Sequence, residues 1–102
     1  MELLTKAIRR HLPALHATQA IPLNKKVVVV KFFTPDSNWT WYAVEFDGKD
    51  LFWGLVCGFE QEWGYFSLRE LESVKGKMGL PIERDRFFRP TLIRDISEVK
   101  VL

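Results

Sequence analysis

Two glutamates, Glu60 and Glu62, are the first candidates for chemistry in this chain. On an extended segment they project to one side, where paired carboxylates act as acid and base or hold a cation. Glutamates in loops are more commonly just solvated. Glu45, Asp85, His11 and His16 complete the acid–base candidates. The two histidines lie five apart around Pro13, which does not stack both imidazoles on one helical face. No second cysteine or nearby carboxylate completes a ligand set, so neither a metal nor a cofactor is expected. The single Cys57 sits in an apolar run and reads as a buried thiol of a reducing compartment. With no Ser or Cys nucleophile motif, no glycine loop for phosphate and no zinc spacing, no catalytic residue is assigned.

The richer signal is aromatic. All four tryptophans fall between positions 39 and 63. Asp47-Gly48-Lys49-Asp50 is a turn signal between two runs of aromatic and β-branched residues, so 39–58 reads as a hairpin. In that register Phe46 faces Leu51, Val44 faces Trp53, Tyr42 faces Leu55 and Thr40 faces Cys57, forming the core face. The other face carries Trp39, Trp41, Ala43 and Glu45 opposite Gly58, Val56, Gly54 and Phe52. Indoles beside glycines make a shelf for a partner, with Glu62, Trp63 and Tyr65 close by in sequence. The plainer reading is that a helix covers this face and the glycines make room for it.

The elements that must position these residues follow from caps and periodicity. Ser67-Leu68-Arg69-Glu70 matches a capping box, so a helix is expected to start at Leu68, with Phe66 stapled onto Leu71. Gly76, Gly79 and Pro81 then offer stops. Leu4, Ile8 and Leu12 repeat at helical spacing, which predicts an amphipathic helix over 1–11 that Pro13 ends. Lys25–Thr34 is a continuous β-branched run, read as a strand buried on both sides that joins the hairpin in a meander. Residues 63–66 are a further short strand, and 82–88 an edge strand whose charges block unwanted pairing. From Pro90 onward the chain reads as a connector and tail.

The 102 residues, 47% hydrophobic, suit one domain over 1–102 with its own core. No secretory leader or long apolar run is visible, which points to a cytoplasmic protein without membrane contact. Charge is uneven: residues 1–35 carry +5, 36–62 carry −5 and 63–102 carry +2. Any nucleic-acid contact should therefore use Lys6, Arg9, Arg10, Lys25, Lys26, Arg84, Arg86 and Arg89, away from the acidic hairpin.

The run K-F-F-T-P-D-S-N-W-T-W-Y at 31–42, the stretch G-L-V-C-G-F-E-Q-E-W-G-Y-F-S-L-R-E-L-E at 54–72 and I-E-R-D at 82–85 together resemble the DUF2958 family. The likeness covers roughly residues 1–95. It implies a compact bacterial domain, frequently encoded on mobile elements, and supplies no catalytic residues.

The fold expected is α+β: an antiparallel sheet of about four or five strands, an N-terminal helix and a second short helix packed on it. The function these residues favour is a non-enzymatic binding or accessory module that contacts another protein through Trp39, Trp41, Glu62, Trp63 and Tyr65. The alternative is an accessory protein that binds nucleic acid, with exposed aromatics stacking bases. A carboxylate-dependent enzyme is the second alternative.

Overall fold

The computed structural model describes residues 1–100. Its centre is a five-stranded antiparallel sheet with two short helices, α1 (Lys6–His11) and α2 (Leu68–Ser73). The chain is α+β, as its sequence predicts. Thr5 caps α1 by accepting from the Ile8 N–H, so this helix starts later than the apolar spacing suggests. Two short strands come next, β1 (Val27–Val28) and β2 (Val30–Phe33), then the long strands β3 (Thr40–Phe46), β4 (Leu51–Cys57) and β5 (Gln61–Ser67). After α2 come β6 (Glu83–Arg84) and β7 (Thr91–Leu92).

The main sheet runs β5-β4-β3-β2-β6, so the expected meander is present, and of the edge strand expected over 82–88 only β6 forms, at the sheet's edge. The β-branched run does not form one strand. It breaks at Val29, whose N–H donates to Ala43, and β1 leaves the main sheet to pair with β7. What reads as connector after Pro90 therefore contributes a strand and a 3₁₀ turn over Ile93–Asp95.

The hairpin register matches expectation from Thr40↔Cys57 to Ala43↔Gly54 and then departs from it. A bulge inserts Val44, so that Glu45 pairs with Trp53 and Phe46 with Phe52. One extra residue changes which way everything after it points. Phe46 joins Ala43 and Trp41 on one face, and Glu45 moves to the other with Val44 and Trp53.

Both faces are cores, where the simple alternation suggests one. On the first, α1 and its lead-in lay Leu3, Leu4, Ile8 and Leu12 against Phe32, Trp41, Phe46 and Phe52, joined by Leu71 and Ile82. On the second, Ile93, Ile96, Val99 and Phe88 close over Tyr42, Val44, Leu55 and Cys57. Burial of this apolar surface is the main favourable term in folding.

At α2 the Ser67 half of the capping box forms as predicted, and Asp50 supplies the further side-chain contacts. Ser67 Oγ accepts from the Glu70 N–H at 3.2 Å and donates to Asp50 Oδ2 at 2.7 Å, while Asp50 Oδ1 takes the Arg69 N–H. The helix ends at Ser73, before either glycine, because a bridge between Lys75 and Pro81 takes the chain into a tight loop. Ser67→Ala removes both hydroxyl bonds, and urea denaturation should register a loss of about 1 kcal/mol.

Candidate functional site

The loop between β2 and β3 is closed by its own polar groups. Thr34 N–H donates to Trp39 O at 3.0 Å, and Trp39 N–H returns a bond to Thr34 Oγ1 at 3.0 Å. Asp36, beyond that clasp, accepts from the backbone N–H groups of Met78 and Leu80 and ties the loop to the 76–80 turn. The loop is thereby a fixed wall. Facing it, Asp85 organises the strand-to-loop step after β6. Its N–H donates to Lys31 O at 2.9 Å, its Oδ1 accepts the Phe87 N–H at 3.0 Å, and its O accepts the Phe88 N–H at 3.2 Å.

Between these walls lies a groove of about 750 Å³. Its floor is the Lys31–Tyr42 and Phe33–Thr40 pairs of β2 and β3, and residues 96–98 close one side. Lys31 Nζ sits 3.9 Å from Asp85 Oδ2 and 5.8 Å from the centre of the Tyr42 ring. Tyr42 donates its hydroxyl proton to Glu98. Burial first, and then Glu98, push the Tyr42 phenol well above its ordinary value. It stays protonated near neutral pH and acts as a donor. Cys57 is pushed up to about 11, chiefly by burial, and remains a thiol.

The aromatic side chains are unequal. Trp41 is only 8% exposed, so the buried indole of the plainer reading holds for it, although the buried leucines of its core, Leu3, Leu4 and Leu12, flank α1 rather than lie within it. Trp39 is half-buried, stacks on Trp41 with centroids 6.0 Å apart, and lines the groove. Phe59, 96% exposed, lies edge-on against Trp39 at 5.6 Å. Phe87, 89% exposed, stands on the opposite wall. The backbone around Phe87 is pinned by Asp85, so an ordered loop holds this ring in water.

The five residues of the predicted shelf do not share one surface. Register places Glu62 beside Val56 and Trp41, while Trp63 and Tyr65 alternate to the opposite face. There Trp63 stacks on Trp53 at 5.0 Å. Glu60 and Glu62 are both exposed. Sequence reasoning missed Phe59 and Phe87, whose only signal was a large apolar residue in a turn beside charged neighbours.

The basic residues are likewise divided. Arg84, Arg86 and Arg89 gather with His11 around a hollow of about 300 Å³ between α1 and the 84–90 segment. Lys6, Arg10 and Lys25 are exposed. Arg9 turns the other way, donating to Gly48 O at 2.8 Å and covering the Phe46 ring at 5.2 Å. Arg84 is engaged with Glu2 O. Lys26, expected on a solvent-facing phosphate path, is 4% exposed and cannot lie on one. The β1–β7 pairing and the 14–21 loop enclose it.

Among the described residues, no group of three or more His, Cys, Asp or Glu side chains is placed to hold a metal ion. No helix among them is long and apolar enough to cross a membrane.

A family described as a protein of unknown function (DUF2958) matches residues 3–98. The chain belongs to this family. Comparison with curated proteins yields no match, and neither does comparison with solved structures. Of the three stretches that carry the DUF2958 likeness, 31–42 and 82–85 both supply walls of the groove. In this DUF2958 chain, two segments far apart in sequence are thus brought together by the pairing of β2 with β6.

Proposed function

We propose that this domain is a non-enzymatic binding module that holds an extended segment of a partner protein in the groove between the 34–39 loop and the 83–87 segment. The observation that carries the reading is the exposure of Phe87 on the groove wall, across from half-buried Trp39, against which the exposed Phe59 lies edge-on. Leaving large rings in water is unfavourable, and aromatic side chains of this kind dominate interface hot spots. The floor supports a peptide better than a nucleic acid. Lys31, Arg84 and Arg86 are interleaved with Glu83, Asp85 and Glu98, a balanced set that suits a chain carrying both charges better than an unbroken run of phosphates. With Tyr42 and Cys57 held protonated, neither is poised for acid–base or nucleophilic work near pH 7.

Single-stranded nucleic acid is the second reading, favoured by Arg84 and Arg86, which line both the groove and the adjoining hollow, and by Arg89 in that hollow. One experiment separates the two. The full chain is panned against a displayed library of random linear peptides, and any consensus is titrated against wild type and Phe87→Ala. Phe87 is so exposed that its loss should leave the melting temperature unchanged. A consensus peptide is expected to bind at least about tenfold more weakly to the variant, as for a hot-spot aromatic. Enrichment of no consensus, together with salt-sensitive binding of oligonucleotides, would move the assignment to nucleic acid.

A further inference from the structure

A second pocket, of about 410 Å³, lies on the opposite face of the sheet from Trp41 and away from the groove. Its volume falls in the range of small-molecule sites, roughly 300–1,000 Å³. Two charged side chains line it, Lys26 and Glu45, each only 4% exposed. They do not form a direct ion pair. Both instead touch Thr18: Lys26 Nζ donates to Thr18 O at 2.6 Å and lies 3.2 Å from Thr18 Oγ1, and that hydroxyl donates to Glu45 Oε2. Glu45 also accepts the His16 N–H on Oε1 at 2.8 Å and the Thr18 N–H on Oε2 at 3.1 Å. To make this contact, His16 adopts φ 70°, the one non-glycine residue with positive φ among those described. Strained backbone, buried charge and a cavity at one place are the marks of a ligand site.

We propose that this pocket binds a planar heterocycle presenting a ring-amide edge, an N–H beside a carbonyl, as in uracil-type bases. The hydrogen-bond inventory leads there. An ammonium has three protons, and Lys26 commits two of them to Thr18; its Nζ also lies 5.1 Å from the centre of the Trp53 ring, a cation–π contact that leaves the third proton without an oxygen acceptor. A carboxylate oxygen has two acceptor directions, and Glu45 Oε1 uses one. The floor thus offers one charged donor and one charged acceptor, adjacent because both residues contact the same hydroxyl. A ring amide complements that pair, with its carbonyl toward Lys26 and its N–H toward Glu45. An aromatic carboxylate would satisfy Lys26 and be repelled by Glu45, and an amine the reverse. The walls suit a flat ring: Ile21, Pro22 and Leu23 of the loop, and the 53%-exposed Tyr65 of the sheet, beside Trp53, whose ring already stacks on Trp63 and meets Lys26 Nζ.

The test uses the intact chain with uridine and 3-methyluridine, which differ in the one N–H that Glu45 would accept. Saturation-transfer NMR and tryptophan fluorescence should show saturable uridine binding, with the methylated nucleoside weaker by about tenfold or more. Tyr65→Ala, a change at the rim that should leave folding intact, should weaken uridine, and Lys26→Met should abolish its binding. If Lys26→Met fails to fold, the methylated ligand and the Tyr65 variant decide the matter alone. An oligouridylate that binds more tightly than uridine, and loses that advantage in salt, would identify a base within a strand as the source. Equal affinities would identify a free heterocycle. Absence of saturation at millimolar nucleoside, or equal binding of the methylated and unmethylated forms, overturns the proposal. Phe87→Ala should leave uridine binding unchanged, so failure here and failure of the groove reading are separable.

Discussion

Gly54→Ala should be among the most damaging single substitutions in this chain, while Gly64→Ala, its cross-strand neighbour, should be harmless. The two glycines are paired in register on one face of β4 and β5. A Cβ on Gly54 would lie 1.9 Å from Tyr42 O and 3.1 Å from Ala43 Cα, both main-chain atoms of the adjoining strand. No side-chain rotation can relieve that contact, and β3 would have to move where the bulge is already placed. The expected loss is about 3 kcal/mol or more, at the upper end for overpacking. For a domain whose total stability is roughly 5–15 kcal/mol, that is a large share. At Gly64 an added methyl meets nothing within 4 Å. Restricting the unfolded chain should there be neutral or add about 0.4–1 kcal/mol. Urea midpoints of the two variants should bracket that of the wild type, and a wild-type-like midpoint for Gly54→Ala would contradict the strand geometry described.

The second large effect is expected at Glu45. Replacing it by Ala leaves the His16 and Thr18 N–H groups without their acceptor and Lys26 buried with no carboxylate nearby. Removing one member of a buried charged network costs about 3–5 kcal/mol, because the remaining charge stays desolvated. Acid titration gives an independent check. Burial tends to raise the Glu45 carboxyl, but bonds from Thr18 and His16, with Lys26 nearby, outweigh it and hold the group below its ordinary value of 4.5. A carboxyl lowered by folding contributes stability that is complete above the unfolded value and is lost as pH falls through the folded one. Wild type should therefore lose stability below about pH 4.5 more steeply than Glu45→Gln. The slope will not vanish in the variant. Asp47, held low first by the Asp50 N–H, and Asp50, held low first by the Ser67 hydroxyl, titrate in the same direction.

What could be read from the sequence was local. The Ser67 cap is a contact between near neighbours in the chain, and the Asp47–Asp50 turn specifies its own geometry. Trp41 and Tyr42 fall on the faces that alternation assigns them. The bulge at Val44 was not legible, because nothing in W-Y-A-V-E-F distinguishes an inserted residue from a regular pair. Its trace is the close approach of Gly54 to the Tyr42 carbonyl, which only the paired strands reveal. Everything beyond the bulge inherits the error, which is why Glu45 was expected beside the indoles of the wrong face. Lys26 looked like one more surface cation, since its burial depends on Thr18 and on Ile93, whose N–H bonds Lys26 O from the far end of the chain. The groove was half visible. The two segments that form it stood out as distinctive stretches, but no local rule joins residue 33 to residue 83.

The two stacked indole pairs have an optical consequence. Trp39 and Trp41 lie 6.0 Å apart on one core, and Trp53 and Trp63 lie 5.0 Å apart on the other. At such separations the ultraviolet transitions of neighbouring rings mix, and each pair contributes an exciton couplet to the circular dichroism. The chain thus carries a built-in chromophore for each side of its sheet. Trp39→Phe should silence the couplet of the α1 core alone, and Trp63→Phe that of the Tyr42 core, so the loosening of either core becomes separately visible during denaturation.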